Sequence, residues 1–235
     1  MRKVIFNLII ENKGNWSKVY EAILNKQKPN LELDLDQWNE IYENSMFICD
    51  SNYFDKFKKM YMPPLALFYD GNINLINEKV LGILDKISDF NFESLKEFKD
   101  KDYVICINKK ENNTAIIKRM IEENFKLIIL CDKKLDYLNS NNENVVYISE
   151  YCTDNISVDN QQILKRLIYA ISDDIFIANK TKENIELVLE NYQNETKNCF
   201  LIDDEEWAQN LNKHIDQNIF IHIHYLNEII DFNKT

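Results

Sequence analysis

From residue 49 onward, short apolar runs alternate with amphipathic stretches, and this alternation constrains the fold more than any other feature of the chain. The runs are Leu65–Tyr69, Val80–Leu84, Tyr103–Ile107, Leu127–Cys131, Val145–Ile148, Ile175–Ala178, Cys199–Ile202 and Ile219–Ile223. Between them, apolar residues recur at helical spacing. They are Ile116, Ile117, Met120 and Ile121 in 113–124; Ile163, Leu164, Leu167, Ile168 and Ile171 in 161–171; and Ile185, Val188, Leu189 and Tyr192 in 182–192. Continuous apolar runs suit strands buried on both faces, and alternation with helices indicates a mainly parallel sheet. The expected fold class is therefore α/β: a Rossmann-like, mainly parallel sheet with helices on both faces.

Residues 1–50 have a different texture. Val4–Asn12, Asn15–Leu24 and Asp34–Ser45 each carry helical periodicity, with Trp16, Val19, Tyr20 and Ile23 on one stripe and Leu35, Trp38, Ile41 and Tyr42 on another. This predicts a small helical domain over 1–50 that precedes the sheet domain of 51–235. Large aromatics usually bury, so the tryptophans are assigned to its core. With 235 residues, 45% of them hydrophobic, the chain can fill a small and a medium domain. The apolar start is broken by Asn7 and ended by Glu11, so it reads as a first helix rather than a targeting signal. No apolar run is long enough to span a membrane.

Five cysteines without a C-x-x-C pair suit reduced thiols, and the expected location is the cytoplasm. A net charge of −11 means that any nucleic-acid contact needs a local basic patch. His222 and His224 share a strand face, and a solvent-facing edge explains them better than a metal. Asp203-Asp204-Glu205-Glu206 opens a predicted helix, where acids favour the dipole. There is no nucleophile elbow, phosphate loop or zinc cluster, and no metal or cofactor is expected.

Three strings carry a family resemblance. The first joins Asp50-Ser51-Asn52-Tyr53 to Met62-Pro63-Pro64-Leu65-Ala66-Leu67-Phe68-Tyr69-Asp70-Gly71-Asn72. The second is Ile148-Ser149-Glu150-Tyr151-Cys152. The third is Lys165-Arg166-Leu167-Ile168-Tyr169-Ala170-Ile171-Ser172-Asp173, followed by Ile175–Ala178. In order and spacing they resemble the DprA/Smf family of DNA-processing proteins, over roughly residues 1–205. The resemblance implies a small SAM-like helical domain before an extended Rossmann-like domain. It also implies a non-enzymatic role: binding single-stranded DNA in recombination or DNA uptake, self-association, and hand-over of DNA to the RecA recombinase.

The departures concern phosphate binding. Where the family has a Gly-Ser-Arg turn, this chain has Leu84-Asp85-Lys86. The next loop, glycine-rich in the family, reads Asn108-Lys109-Lys110-Glu111-Asn112-Asn113. Cys131-Asp132-Lys133-Lys134 and Thr181-Lys182-Glu183-Asn184 also lack the family's glycines. Glycines let backbone N–H groups approach a phosphate, so the cradle is expected to be degenerate. Charge remains: Lys86, Lys109, Lys110, Lys133, Lys134 and Arg166 are the candidate nucleic-acid-binding residues, since strand-to-helix loops converge at one sheet edge. Two alternatives stay open. One is a protein–protein interaction module that has lost DNA binding and keeps only partner or homodimer contacts. The other is a nucleotide-processing Rossmann enzyme, for which no catalytic carboxylate pair is evident.

Overall fold

A computed structural model describes residues 1–30, 42–85, 87, 89–109, 113–135, 142–152, 160–192, 196–202 and 219–234. Its elements, in chain order, are α1 (Arg2–Glu11), α2 (Trp16–Leu24), β1 (Ser45–Phe47), α3 (Asp55–Lys58), β2 (Ala66–Gly71), a 3₁₀ turn (Ile73–Asn77) and β3 (Val80–Leu84). Then follow α4 (Asp89–Lys99), β4 (Val104–Asn108), α5 (Thr114–Glu122), β5 (Lys126–Leu130), β6 (Val145–Ser149), α6 (Asn160–Ile171) and β7 (Asp174–Ile177). The chain closes with α7 (Lys182–Tyr192), β8 (Asn198–Ile202), β9 (Phe220–Ile223) and α8 (Glu228–Phe232).

All strands join one sheet in the order β1-β2-β6-β5-β4-β3-β7-β8-β9. From β6 through β9 every neighbouring pair is parallel, with Ile105 opposite Leu127 and Gly82 opposite Ile175, for example. Among the described residues only the β1–β2 and β2–β6 pairs are antiparallel. Strand residues alternate between two apolar layers. Leu81, Ile83, Ile105 and Ile107 meet α1, α2, α4, α5 and α8 on one face. Val80, Leu84, Val104 and Cys106 meet α3, α6 and α7 on the other. The α/β fold with helices on both faces is therefore as the sequence pattern predicts.

Two features of the first fifty residues differ from expectation. Ser45–Phe47 is a strand, recruited by the exposed edge of β2. Trp16 is half-buried at the surface, stacked on Tyr20 at 4.7 Å, with its indole Nε1 donating to Pro63 O at 2.7 Å; Trp38 lies outside the described residues. Ile5, Phe6, Leu8 and Ile9 of α1 pack in the same layer as the sheet.

Having only three glycines has a visible consequence. α1, α2 and α5 each end in a Schellman closure, with Lys13 (φ 51°), Lys26 (φ 52°) and Asn124 (φ 59°) in the left-handed position that glycine usually takes. The pairs Gly14 N→Ile9 O with Lys13 N→Ile10 O, and Gln27 N→Ala22 O with Lys26 N→Ile23 O, close the first two. Among the described residues no helix is long and apolar enough to cross a membrane.

Candidate nucleic-acid interface

β3 to β6 step outward in one direction, and the chain then returns across the sheet to lay β7 on the other side of β3. The carboxyl ends of β3 and β7 therefore form the topological switch point, where open α/β sheets usually hold ligands. Asp85 stands there at φ +75°, a left-handed conformation for a residue with a Cβ. One carboxylate oxygen accepts from Asn184 Nδ2 at 2.5 Å, and the other lies 3.6 Å from Lys165 Nζ. Asn184 Nδ2 also donates to Asn179 O at 2.6 Å, tying the start of α7 to the end of β7. The Lys165 side chain is only 8% exposed. The glycine-free turn thus holds a buried carboxylate–ammonium–amide cluster.

Arg166 points elsewhere. Its Nη2 reaches both carboxylate oxygens of Glu150 at 2.7 Å, and its Nη1 donates to Met62 O at 2.8 Å. Burial pushes the Glu150 carboxyl above the usual range, against the opposite pull of the guanidinium. The expectation that Arg166 is free to meet a phosphate does not match this geometry: its planar fork is filled by a carboxylate and a carbonyl.

The residues of the three resemblance strings form internal struts. Tyr53 Oη donates to Pro64 O at 2.7 Å, and Asp50 accepts from Phe47 N. Ser149 Oγ donates to Lys133 O and accepts from Tyr151 N. Gly14, at φ +71°, lies against the Tyr151 ring, where an added Cβ would come within 3.2 Å. Gly14 and Tyr151 border a cleft of about 850 Å³ between α2, the 61–66 segment, α6 and α7. Its cations, Lys165 and Arg166, are already paired, while Glu183, Glu186 and Glu190 line one wall. Such a cleft repels a phosphate backbone.

The carboxyl ends of β4 and β5 are different. Lys109 follows β4, its N–H bonded to Leu130 O at 2.7 Å, and its Nζ lies 5.5 Å from the Tyr147 ring. Lys133 and Lys134 follow β5 and are exposed, as is Lys109. None of the three forms an ion pair among the described residues. Lys134 lies near enough to Cys152 to draw that thiol down, although burial still pushes it up to about 12. Beneath the lysines, Asn113 Nδ2 donates to Asn108 Oδ1 at 2.7 Å and to Asn108 O at 3.2 Å, pinning both ends of the loop. Lys86 and Lys110 lie outside the described residues. The structure thus groups Lys109, Lys133 and Lys134 and separates them from Arg166. Sequence reasoning missed the parts of Glu150, Lys165 and Asn184. The available signal was an acid at position 85 beside a lysine on the apolar helix 161–171.

The chain matches no family model and no curated protein sequence. Among solved structures it resembles DNA processing protein A from Streptococcus pneumoniae, with TM-score 0.62 and 15% identity over 98% of this chain and 93% of that one. It also resembles DNA processing protein A from Helicobacter pylori, described for its single-stranded DNA binding mode, with TM-score 0.60 and 17% identity over 79% and 94% of the two chains. The fold is that of DNA processing protein A.

Proposed function

We propose that this protein is a non-enzymatic, single-stranded DNA-binding relative of DNA processing protein A that acts in recombination or DNA uptake. Lysines at the carboxyl ends of β4 and β5 track the phosphates. The observation that carries the reading is that Lys109, Lys133 and Lys134 are exposed, neighbouring and outside any described ion pair, whereas Lys165 and Arg166 are held by carboxylates. Point charges of this kind give sequence-independent affinity that falls as salt rises. The −11 net charge opposes approach, but its reach shrinks to about 8–10 Å at physiological salt, so a local cluster prevails at short range. Fluorescence anisotropy with a labelled oligothymidine tests this. The wild-type protein binds weakly at low salt, and replacing all three lysines by alanine flattens the salt slope by about two, from ~0.7 per phosphate contact on a single strand. Absence of wild-type binding at low salt rejects the reading.

The acidic cleft favours a second reading, an interaction module. Glu183, Glu186 and Glu190 facing Trp16 and Tyr61 suit a basic segment of a protein partner. That reading takes over if the anisotropy experiment shows no DNA binding.

A further inference from the structure

The acidic wall of the cleft is a row with unequal gaps. Glu183, Glu186 and Glu190 line it from α7, and all three are exposed. At 1.5 Å of rise per residue they stand about 4.5 Å and 6 Å apart along the helix, within about 60° around it. Glu183 and Glu190 form no ion pair among the described residues. Glu186 has Lys182 at 3.5 Å, an exposed pair that contributes little. The cations already in the cleft, Lys165 and Arg166, are neutralised by Asp85 and Glu150. The rest of the lining is largely aromatic and apolar, with Trp16, Tyr61 and Leu187 prominent. Trp16 is held in place by Pro63 O and by the Tyr20 ring, and Tyr61 is 78% exposed. Exposed aromatic faces attract alkylammonium groups, and an exposed apolar patch rimmed by charge marks a binding surface. The volume of about 850 Å³ lies in the range of small-molecule sites.

We propose that this cleft binds a linear aliphatic triamine of the spermidine class, whose three ammonium groups meet Glu183, Glu186 and Glu190 in turn. Charge complementarity selects a polycation, and the gaps select its spacers. At roughly 1.2 Å per extended bond, nitrogens joined by a propane spacer lie about 5 Å apart and by a butane spacer about 6 Å apart. The propane spacer bridges Glu183 to Glu186 and the butane spacer Glu186 to Glu190, with the methylenes against Leu187 and Tyr61. An extended basic peptide presents same-side charges about 6.6 Å apart, so it matches at most one of the two gaps. The inference goes beyond the DNA-binding reading and competes with the interaction-module reading for the same cleft.

Isothermal titration calorimetry of the full chain with spermidine at low salt tests this. The wild-type protein binds one spermidine saturably. Triamines with two propane or two butane spacers misplace one ammonium, the equivalent of an exposed pair, and bind about two- to fivefold more weakly. Glu183→Gln, Glu186→Gln and Glu190→Gln together lower spermidine affinity about tenfold or more. Asp100→Asn, Glu122→Gln and Glu143→Gln together make the same change in net charge at exposed positions outside the cleft and leave affinity unchanged. Tyr61→Ala weakens binding about two- to fivefold, the worth of an exposed cation–π contact. If the cleft triple variant does not fold, Glu190→Gln alone decides, by losing the preference for spermidine over the triamine with two propane spacers. The proposal is overturned if the wild type does not bind, if the two triple variants weaken binding equally, or if the three triamines bind alike. A peptide of alternating lysine and serine that binds more tightly than spermidine also overturns it and favours the interaction module. No DNA is present, so these outcomes leave the lysine-edge reading untouched.

Discussion

Replacing Arg166 by methionine removes the cation that holds the buried Glu150 carboxylate. Glu150 loses a guanidinium nitrogen 2.7 Å from both oxygens, and Met62 O loses its donor at 2.8 Å. The two side chains are 14% and 11% exposed, so water replaces little of what is lost. Breaking a buried pair from one side costs about 3–5 kcal/mol. At about 2–4 °C per kcal/mol for a chain of this size, that lowers Tm by roughly 6–20 °C. The loss depends on pH with a definite sign. Burial already places the folded-state pKa of Glu150 above its unfolded value, and removing Arg166 raises it further. The native variant then binds a proton more readily than the unfolded chain, so its stability falls as pH rises and recovers as pH falls. Urea denaturation near pH 7 and near pH 5 therefore shows a smaller gap from wild type at the lower pH. Arg166→Met combined with Glu150→Leu removes both charges and leaves only the Met62 carbonyl unpaired, at about 1–3 kcal/mol. A double-mutant coupling below about 1 kcal/mol, the range of exposed pairs, refutes the reasoning.

Lys13→Gly and Lys26→Gly each place the preferred residue in an existing left-handed turn, at exposed positions where no packing is lost. Relief of about 1–2 kcal/mol, less glycine's added unfolded-state entropy of about 0.5–1 kcal/mol, gives a net gain near ~0.5 kcal/mol each. Chemical denaturation that shows either variant destabilised contradicts this. Asp174, at the start of β7, is raised by burial more than Asn198, Lys79 and Asn233 draw it down. Its native state therefore binds a proton more readily than the unfolded chain, and its contribution to stability declines as pH rises from about 4 through the raised value. Asp174→Asn flattens that part of the stability–pH curve, and an unchanged slope there shows that Asp174 is not the group responsible.

The order of layers was legible because it is local: a continuous apolar run or a 3.6-residue period acts through nearest neighbours in the chain. Val80–Leu84 and Lys182–Tyr192 are bounded as the pattern predicts, and the other strands lie within a residue or two of their runs. The strand β1 was not legible. Ser45-Met46-Phe47 has no alternation long enough to mark it, and it pairs because the edge of β2 offers unpaired backbone groups. Burial of large aromatics is a tendency that places Trp16 in a core; it does pack against the apolar layer, but it stays half-buried on the cleft wall because of where Pro63 lies after folding.

The same division runs through the site. The sequence alone shows that the glycines of the phosphate turns are absent and that lysines stand in the loops. Only the tertiary structure decides which cations remain available. Arg166 and Glu150 are separated by sixteen residues and Lys165 and Asp85 by the whole of β4 to β6, and the ion pairs close only when the sheet brings those loops together. Charge is written in the chain, but whether it faces a ligand or another residue depends on distances that the fold alone sets.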